Sequence, residues 1–535
     1  MKMACPDSSS DRSKVIVWLI ALLFHSKVFS MRPIQPLPAE LQRTLKSESL
    51  PITSGLLSPS PDARWSPINI LPDYSALRGQ NEQVVEFVKR FLVPHTLSRL
   101  RDLISTKRTN SIPPFNSTAC DDYFPVPSDF HSRETAADLI LFVRLVESST
   151  TITAFSLICG LTQEDQRPAV GLVTLNIDSF SFAKSQIESV VRTLIHEVFH
   201  VLAFSPILFN RFPIGASRTY LKTKSTTGGS QTKLILPGLL SFARDYFACN
   251  TLDGILLEDE GSSGSADSHF EKKLLGNEIM TGQLSAHQVL SNFTLHFIND
   301  IGWYKVNFSQ AEKLTWGEKK GCSFINENCQ NNFEEFCSDS LDEGCTPDFL
   351  AKSSCFGSML TNKCKIREHT KGKICTDEFG FISTASYESS GPFARCFLTR
   401  ENGQKGSGCY ESRCLDEKTI QIIIEKSVFN CTIPFSTFSY KKVTIICPDP
   451  SLFCSKTFIN CPQNCSGRGV CLSDGICKCN ALFKGEACQE EISCQGEIFC
   501  SLLQNSLSSR SIAESFVKFA ALPFNCLFVI LILIY

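Results

Sequence analysis

The 535-residue chain has no long run of charge of one sign, and its formal charge is only −2. Nucleic-acid binding needs a basic face for the phosphate backbone, so we expect no nucleic-acid partner. A phosphate-binding P-loop and a G-x-S-x-G nucleophile elbow do not occur either. The sequence therefore does not indicate a P-loop nucleotide hydrolase or a serine hydrolase of that type.

Two segments lack particular residue types. Cysteine does not occur between Cys5 and Cys120, and Asp, Glu and His do not occur between Val201 and Arg244. The first gap removes thiol ligands from the segment before Cys120. The second gap removes the side chains that most often bind a metal from a long stretch in the middle of the chain.

Directly before the second gap lies an H-E-x-x-H motif, His196-Glu197-Val198-Phe199-His200. Apolar residues at three- and four-residue spacing predict a helix here, so both imidazoles project from the same face. That spacing suits two nitrogen ligands of one zinc ion. Glu197 is placed to act as a general base on water without binding the metal. Two histidines that flank a glutamate by chance are the alternative.

Two histidines leave a zinc ion under-ligated, so a third ligand is expected downstream. The gap excludes a glutamate a few turns further along the chain. The sequence alone leaves several candidates open, namely Asp245, Asp253, Glu258, Asp259, Glu260, Asp267 and His269. Met280 follows in a chain with only five methionines, and a methionine turn beneath a three-histidine zinc site is typical of metzincins.

Here the chain resembles the leishmanolysin family of zinc metalloproteases. That family separates its second and third zinc histidines by a long insertion, which the 69-residue step from His200 to His269 matches. Further segments resemble it in order: Cys120-Asp-Asp-Tyr-Phe-Pro-Val-Pro, Arg167-Pro-Ala-Val-Gly171, Ile301-Gly-Trp-Tyr304, Trp316-Gly and Gly321-Cys322. The resemblance implies one Zn²⁺ per chain bound by His196, His200 and His269, with Glu197 as catalytic base and Met280 as turn methionine.

Ala203 departs from the metzincin pattern, which has glycine at this position. A left-handed residue at the helix end would cost about 1–2 kcal/mol with a Cβ. Relatives often use a propeptide cysteine for latency, and the cysteine-free segment before Cys120 removes that device. These two features slightly favour the rival hypothesis, a non-catalytic adhesion protein on a metzincin scaffold that binds extracellular matrix or a cell-surface ligand. The intact ligand set and Glu197 count strongly against it.

Both ends of the chain indicate export. Arg12 and Lys14 precede ten apolar residues, Val15–Phe24, which is too short to span a bilayer and is typical of a signal peptide. Near the other end, small polar residues with Asn505 or Ser506 as attachment point precede an apolar tail, Phe519–Tyr535. This pattern predicts a GPI-attachment signal. A tail-anchored transmembrane helix is the alternative, because 17 residues just span a membrane.

Cysteine usage divides the mature part. Three cysteines (Cys120, Cys159, Cys249) precede Cys322 and 21 lie between Cys322 and Cys500, so disulfides and at least one bridge between the halves are expected. The spacing Cys461-x3-Cys465-x5-Cys471-x5-Cys477-x-Cys479-x8-Cys488 resembles an EGF-like module. The resemblance implies the pairs Cys461–Cys471, Cys465–Cys477 and Cys479–Cys488. The acidic residues of calcium-binding EGF modules are missing before Cys461, so no calcium is expected there.

Several elements are predicted less directly. We expect a first strand over Trp65–Leu71, a helix capped by Asn81 and kinked at Pro94, and strands over 136–147 and 171–177. The basic segment 211–233 is predicted as an exposed loop, and 285–304 as a helix in which His287 and His296 form no second metal site. Glycosylation sequons occur at Asn116, Asn292, Asn307, Asn430 and Asn464.

The predicted protein is α+β, a metzincin-type zinc endopeptidase with a disulfide-rich carboxy-terminal region and a small EGF-like module. The predicted organisation is a signal peptide (1–30), a pro-segment or linker (31–63), a catalytic domain (64–286), a cysteine-rich domain (287–455), an EGF-like module (456–490), a linker (491–505) and the anchor signal (506–535). Its predicted substrates are proteins or peptides. We expect the protein either on the extracellular face of the plasma membrane, where the lipid anchor holds it, or secreted into the medium. Replacing Glu197 is the decisive test of catalysis, since a pure adhesin has no need of it.

Overall fold

The computed structural model describes residues 64–492, apart from 108–110, 118, 149–152, 164, 181–185, 225–229, 261–265, 327–328, 330–332, 339–341, 379, 458–460 and 473–475. The predicted signal peptide, pro-segment and anchor signal, with Asn505 and Ser506, lie outside the described residues.

The first part of the chain mixes helices with short and long strands. Its strands are β1 (Trp65–Pro67), β2 (Ile70–Asp73), β3 (Ile104–Lys107), β4 (Leu139–Val146), β5 (Ala154–Leu161), β6 (Pro168–Asn176), β7 (Tyr220–Lys224), β8 (Ser230–Leu234), β9 (Ile255–Leu256) and β10 (Tyr304–Val306). Its helices are α1 (Glu82–Phe87), α2 (Val93–Leu103), α3 (Ile187–Leu202), α4 (Ala216–Thr219), α5 (Pro237–Phe247), α6 (Lys272–Leu275), α7 (Asn292–Asp300) and α8 (Cys322–Asn326).

The central sheet has the order β2-β4-β6-β5, with β5 antiparallel to its neighbour and the other pairs parallel. Every residue of β6 is buried, as expected for a strand covered on both faces. Helix α3 packs on this sheet so closely that a Cβ on Gly171 would come within 2.4 Å of Val201. Glycine at position 171 therefore sets the distance between the helix and the sheet.

Helix α3 is the most apolar helix of the described chain. By length and composition Ile187–Leu208 would be able to cross a membrane, but 78% of its most apolar window is buried inside the fold. Its aliphatic residues form one face, and polar residues of the other face, among them Arg192, His196 and Glu197, are buried as well, so the fold encloses the whole helix. It is a core helix.

The helical segment after Asn81 forms as predicted. The Asn81 side chain accepts hydrogen bonds from the amides of Gln83 and Val84 and caps α1. A π-helical turn over Val88–Leu92 separates α1 from α2, and Pro94 lies in the first turn of α2, where its missing N–H costs little.

Three predicted elements are wrong in their bounds. The strand over Trp65–Leu71 is two strands in two sheets, since β1 pairs with β3 and β2 pairs with β4. The basic segment 211–233 is not a plain loop, since it contains α4 and most of the β7–β8 hairpin, which pairs onward with β9. The helix over 285–304 is shorter, because Ser291 caps α7, and His287 lies before it.

The cysteine-rich part is built mainly from antiparallel strands. These are β11 (Gly344–Cys345), β12 (Ala351–Phe356), β13 (Ile366–Ile374), β14 (Ala394–Glu401), β15 (Gln404–Asp416), β16 (Thr419–Ile424), β17 (Ser427–Cys431), β18 (Thr437–Tyr440) and β19 (Val443–Ile446), followed by helix α9 (Pro450–Thr457). The largest sheet has the order β17-β16-β15-β14-β19-β18.

Eleven disulfides join described cysteines. Cys120–Cys159 lies within the first part of the chain, and Cys249–Cys322 is the expected bridge between the halves. The cysteine-rich part contains Cys329–Cys364, Cys337–Cys355, Cys345–Cys396, Cys375–Cys409, Cys414–Cys454 and Cys431–Cys447. The last module contains Cys461–Cys471, Cys465–Cys477 and Cys479–Cys488. The predicted α+β architecture with a disulfide-rich carboxy-terminal region is confirmed.

The EGF-like module contains β20 (Gly469–Cys471), β21 (Cys477–Cys479), β22 (Phe483–Lys484) and β23 (Glu490–Glu491). It packs against the start of α3. The amide of Ala481 donates to the Glu188 carboxylate over 2.9 Å, and the Arg99 guanidinium donates to the Cys479 carbonyl over 2.9 Å. Leu482 and Phe483 join the same apolar core as α3. The module is therefore part of the body of the protein.

A chain of buried charges runs beneath this contact. Arg192 pairs with Glu188 at 2.9 Å and with Glu312 at 2.6 Å, and the Lys478 ammonium lies 3.6 Å from Glu312. Burial alone raises the pKa of Glu188, but Arg99 and Arg192 lower it to about 2. Burial likewise raises the pKa of Glu312, but Arg192 and Lys478 lower it to about 2.

We expect these two carboxylates to make the protein acid-sensitive. Because their folded pKa values lie below the ordinary 4.5, their stabilisation is present above pH 4.5 and is lost as the pH falls towards 2. Each group that must take up a proton lowers the free energy of unfolding by about 1.4 kcal/mol per pH unit. Urea unfolding at pH 5 and pH 3 measures this loss. The loss should be smaller in Glu188→Gln, and an equal loss in both proteins would contradict the assignment.

Candidate active site

Three histidine side chains meet at the carboxy-terminal half of α3. The Nε2 atom of His200 lies 2.9 Å from that of His196 and 3.1 Å from that of His269, and the third distance is 3.3 Å. Tetrahedral nitrogen ligands at 2.0–2.1 Å from zinc are about 3.3 Å apart. The three nitrogens therefore form one face of a metal-binding tetrahedron.

The other ring nitrogen of each histidine has its own acceptor. His196 Nδ1 lies 2.6 Å from the Ile279 carbonyl, and His200 Nδ1 lies 2.7 Å from the Phe204 carbonyl. His269 Nδ1 lies 3.0 Å from the Ser268 hydroxyl. When each Nδ1 carries the proton, each Nε2 presents a lone pair to the shared point.

Electrostatics favour the neutral imidazoles that a metal needs. Burial lowers the pKa of His196 well below its ordinary value, with further lowering from His200 and His269. Burial also lowers the pKa of His200 to about 4. Neutral nitrogens at physiological pH bind a cation without first releasing protons.

Glu197 lies between the two helix histidines in sequence and is 1% exposed. Burial raises its pKa to about 8, and the nearby Ser156 hydroxyl of β5 lowers it somewhat. Its Oε1 atom is buried and has no hydrogen-bond partner within the described part of the chain. A buried carboxylate with a free oxygen fits a site where water and a divalent cation supply the missing interactions.

The end of α3 shows how the chain accommodates Ala203. The helix ends there with a φ of −162° and a ψ of −36°, so the residue is not left-handed. The expected cost of a Cβ does not arise, because no positive φ is needed. The backbone then turns so that the Phe204 carbonyl reaches back to His200.

Met280 lies in a turn, directly after the Ile279 carbonyl that contacts His196, and is fully buried. Its amide donates to the Glu278 carboxylate over 2.5 Å, and its carbonyl accepts from the Phe270 amide over 2.9 Å. Glu278 also accepts from Ser291 and Thr294, at 2.9 and 2.6 Å. This buried carboxylate holds the turn whose Ile279 carbonyl orients His196.

Sequence reasoning did not find these supporting groups. The supporting groups of Ile279 and Phe204 are backbone carbonyls, which every residue has, so the sequence does not single these positions out. Ser268 is noticeable only as the neighbour of His269. The sequence showed Glu278 two residues before Met280, but its role depends on Ser291 and Thr294, which only the fold brings to it.

The remaining histidines in question lie elsewhere. His287 stacks on His369 with ring centroids 5.4 Å apart, and His369 Nε2 lies 2.6 Å from Asp348. Burial alone lowers the pKa of His369, but Asp348 raises it above the ordinary value. Half-buried His296 stacks on Phe242 with centroids 4.9 Å apart. His287 and His296 are therefore not two ligands of one site.

Comparisons with known proteins agree with this geometry. The family model for leishmanolysin matches residues 82–393, and the model for the Teneurin-like EGF domain matches residues 461–491. A leishmanolysin-like peptidase of Drosophila melanogaster is 26% identical over 449 residues, covering 62% of this chain and 65% of that protein.

Two other relatives match shorter parts. The ciliated left-right organizer metallopeptidase of Mus musculus is 30% identical over 290 residues, which cover 50% of this chain and 41% of that protein. Leishmanolysin of Leishmania donovani is 26% identical over 253 residues, covering 46% and 41%. The chain thus spans less than two thirds of the length of each of these relatives. Because the leishmanolysin model covers more than half of the chain, this chain belongs to the leishmanolysin family of metallopeptidases.

Proposed function

We propose that this chain is a zinc-dependent endopeptidase that cleaves proteins or peptides. The observation that carries the proposal is the meeting of three Nε2 atoms within 3.3 Å of one another beside a buried glutamate. An all-nitrogen set of three ligands with one open position suits catalytic zinc, whereas calcium and magnesium prefer oxygen. His196, His200 and His269 would hold one Zn²⁺ per chain.

Glu197 is the proposed general base. Zn²⁺, when bound, supplies Lewis acidity that makes water a nucleophile near neutral pH and polarises a peptide carbonyl. The Glu197 carboxylate takes the proton of the attacking water and passes it to the leaving amine. Its buried position keeps the proton from bulk water between these two steps. Met280 lies in the turn that orients His196 and takes no part in proton transfer.

The substrate is proposed to bind as an extended strand along α3. Strand β5 is the outer strand of the central sheet, and its Ser156 faces Glu197. Phe155 and Ser156 of β5 are half-buried, and β5 pairs with a neighbouring strand on one side only, so its other edge is the proposed place for the peptide. Pairing of a peptide with a sheet edge gives main-chain affinity with little dependence on sequence.

Export from the cell is proposed from the disulfides. Such a number of bonds persists in oxidising compartments and is rare in the cytosol. Three sequon asparagines, Asn116, Asn307 and Asn430, are exposed. Asn464 is half-buried and its amide nitrogen, the atom a glycan needs, donates to the Pro392 carbonyl. Glycans at the five sequons and a lipid anchor at Asn505 or Ser506 remain predictions.

Zinc content and casein hydrolysis, measured on the same preparation, test the proposal. We expect one zinc per chain and cleavage that a chelator stops and added zinc restores. His269→Ala should lose both zinc and cleavage, while His131→Ala, which removes an exposed histidine, should keep both. A chain that binds no zinc would overturn the proposal. The adhesion hypothesis has lost one of its two supports, since Ala203 needs no left-handed backbone.

A further inference from the structure

A second cluster of metal-binding side chains lies outside the three-histidine site. Glu258, Asp259 and Glu271 each offer a carboxylate oxygen, and these oxygens lie within 4.8 Å of one another. Glu258 and Glu271 are fully buried, and Asp259 is half-buried. Three ionised carboxylates in so small a buried space repel one another, so the cluster needs either bound protons or a cation between the oxygens.

In each of these carboxylates one of the two oxygens accepts a hydrogen bond from the protein. Glu258 accepts from the Glu260 amide, Asp259 from the Gln231 amide group, and Glu271 from the Lys273 amide. The second oxygen of each is buried and accepts no hydrogen bond of normal geometry from the described residues, although the Lys272 amide is near enough to lower the pKa of Glu258. Buried polar atoms are rarely left in this state, so three in one cluster indicate an occupant.

Protein charges do not supply that occupant. The Lys273 ammonium acts on Glu271, which balances one negative charge of the three, while Glu260 adds a further negative charge nearby. An oxygen-only set with several carboxylates is the coordination that calcium prefers, with backbone carbonyls or waters as further ligands. Zinc would favour nitrogen or sulfur.

We propose that Glu258, Asp259 and Glu271 form a calcium site that clamps the segment carrying His269. Two backbone hydrogen bonds already pair the segment around Glu258 with the segment around His269. The Glu258 amide donates to the His269 carbonyl over 2.9 Å, and the Asp267 amide donates to the Glu258 carbonyl over 2.8 Å. Glu258 and Asp259 lie on one of these segments and Glu271 on the other. A calcium ion between them joins Glu258 and Asp259 to Glu271, two residues after His269, and so fixes the position of His269.

Calcium chloride added to the zinc-loaded full chain in calcium-free buffer tests the site. Calorimetry should show one calcium ion per chain with a Kd between about 10 µM and 1 mM. Calcium at ten times the Kd should raise the Tm by about 1–2 °C. Absence of binding would overturn the proposal, as would an equal rise in Tm with magnesium chloride.

Variants identify the ligands independently of peptidase activity. Glu258→Gln and Asp259→Asn should each weaken calcium binding on the order of tenfold. Without calcium, neither should have a lower Tm than the parent, since each removes repulsion. Asp253→Asn, which changes an exposed carboxylate paired with Lys233, should bind calcium like the parent. Unchanged binding in both cluster variants would rule out this site, whatever the zinc and casein measurements show.

Discussion

Glu197→Gln should lower the rate of casein cleavage by roughly 10²–10⁴-fold while one zinc ion per chain is retained, because the variant keeps the ligand set and loses the proton acceptor. Glutamine has nearly the same shape as glutamate, so the fold around α3 stays intact. The loss should appear in kcat rather than in KM, since Glu197 acts on water and not on substrate binding.

The controls separate loss of the base from loss of the metal. Glu147→Gln changes an exposed glutamate just after β4 and should leave the rate unchanged. Metal analysis of Glu197→Gln should match the parent chain. Cleavage by Glu197→Gln at the parent rate would show that this carboxylate is not the base, even if zinc is present.

Arg192→Met should destabilise the protein by about 3–5 kcal/mol, as expected when one partner of a buried ion pair is removed. The Arg192 side chain is 9% exposed and its partner Glu312 only 2% exposed. Methionine fills much of the space of the arginine stem but leaves Glu188 and Glu312 with less opposite charge. Urea unfolding at pH 7, followed by tryptophan fluorescence, measures the loss.

Arg133→Met is the matched comparison, because Arg133 pairs with Asp129 at the surface with side chains 50% and 57% exposed. Exposed pairs contribute about 0–1 kcal/mol, so this change should have little effect. A similar small loss in both variants would mean that the Arg192 network contributes no more than a surface pair.

Helix α3 could be predicted from the sequence because the motif and the apolar pattern that define it lie within one short segment. The spacing of His196 and His200 and the apolar pattern around them define α3 without knowledge of any other element. His269 was one of several open candidates until the family resemblance favoured it. The described residues between it and His200 form two helices, α4 and α5, the β7–β8 strand pair, β9 and turns, and no periodic pattern spans them.

Other features depend on contacts that residue identity does not encode. Ala203 suggested strain only because glycine is usual there, and the actual φ of −162° is open to any residue. The sequence predicts a loop where the β7–β8 hairpin lies, because the residues of these strands are mainly polar and show no alternating apolar pattern. The position of the EGF-like module was not predicted, since Arg99, Glu188 and Lys478 are too far apart in sequence to suggest a cluster.

The contact between the EGF-like module and α3 also constrains the order of folding. Arg99 bonds to Cys479 across 380 residues of chain, and Glu188 bonds to Ala481 across 293. At about 5–20 residues per second, synthesis of the 293-residue interval takes roughly 15–60 s. During that time the start of α3 lacks its final neighbours. The helix that bears His196 and His200 therefore reaches its mature surroundings only after one of the last disulfide-bonded modules has emerged from the ribosome.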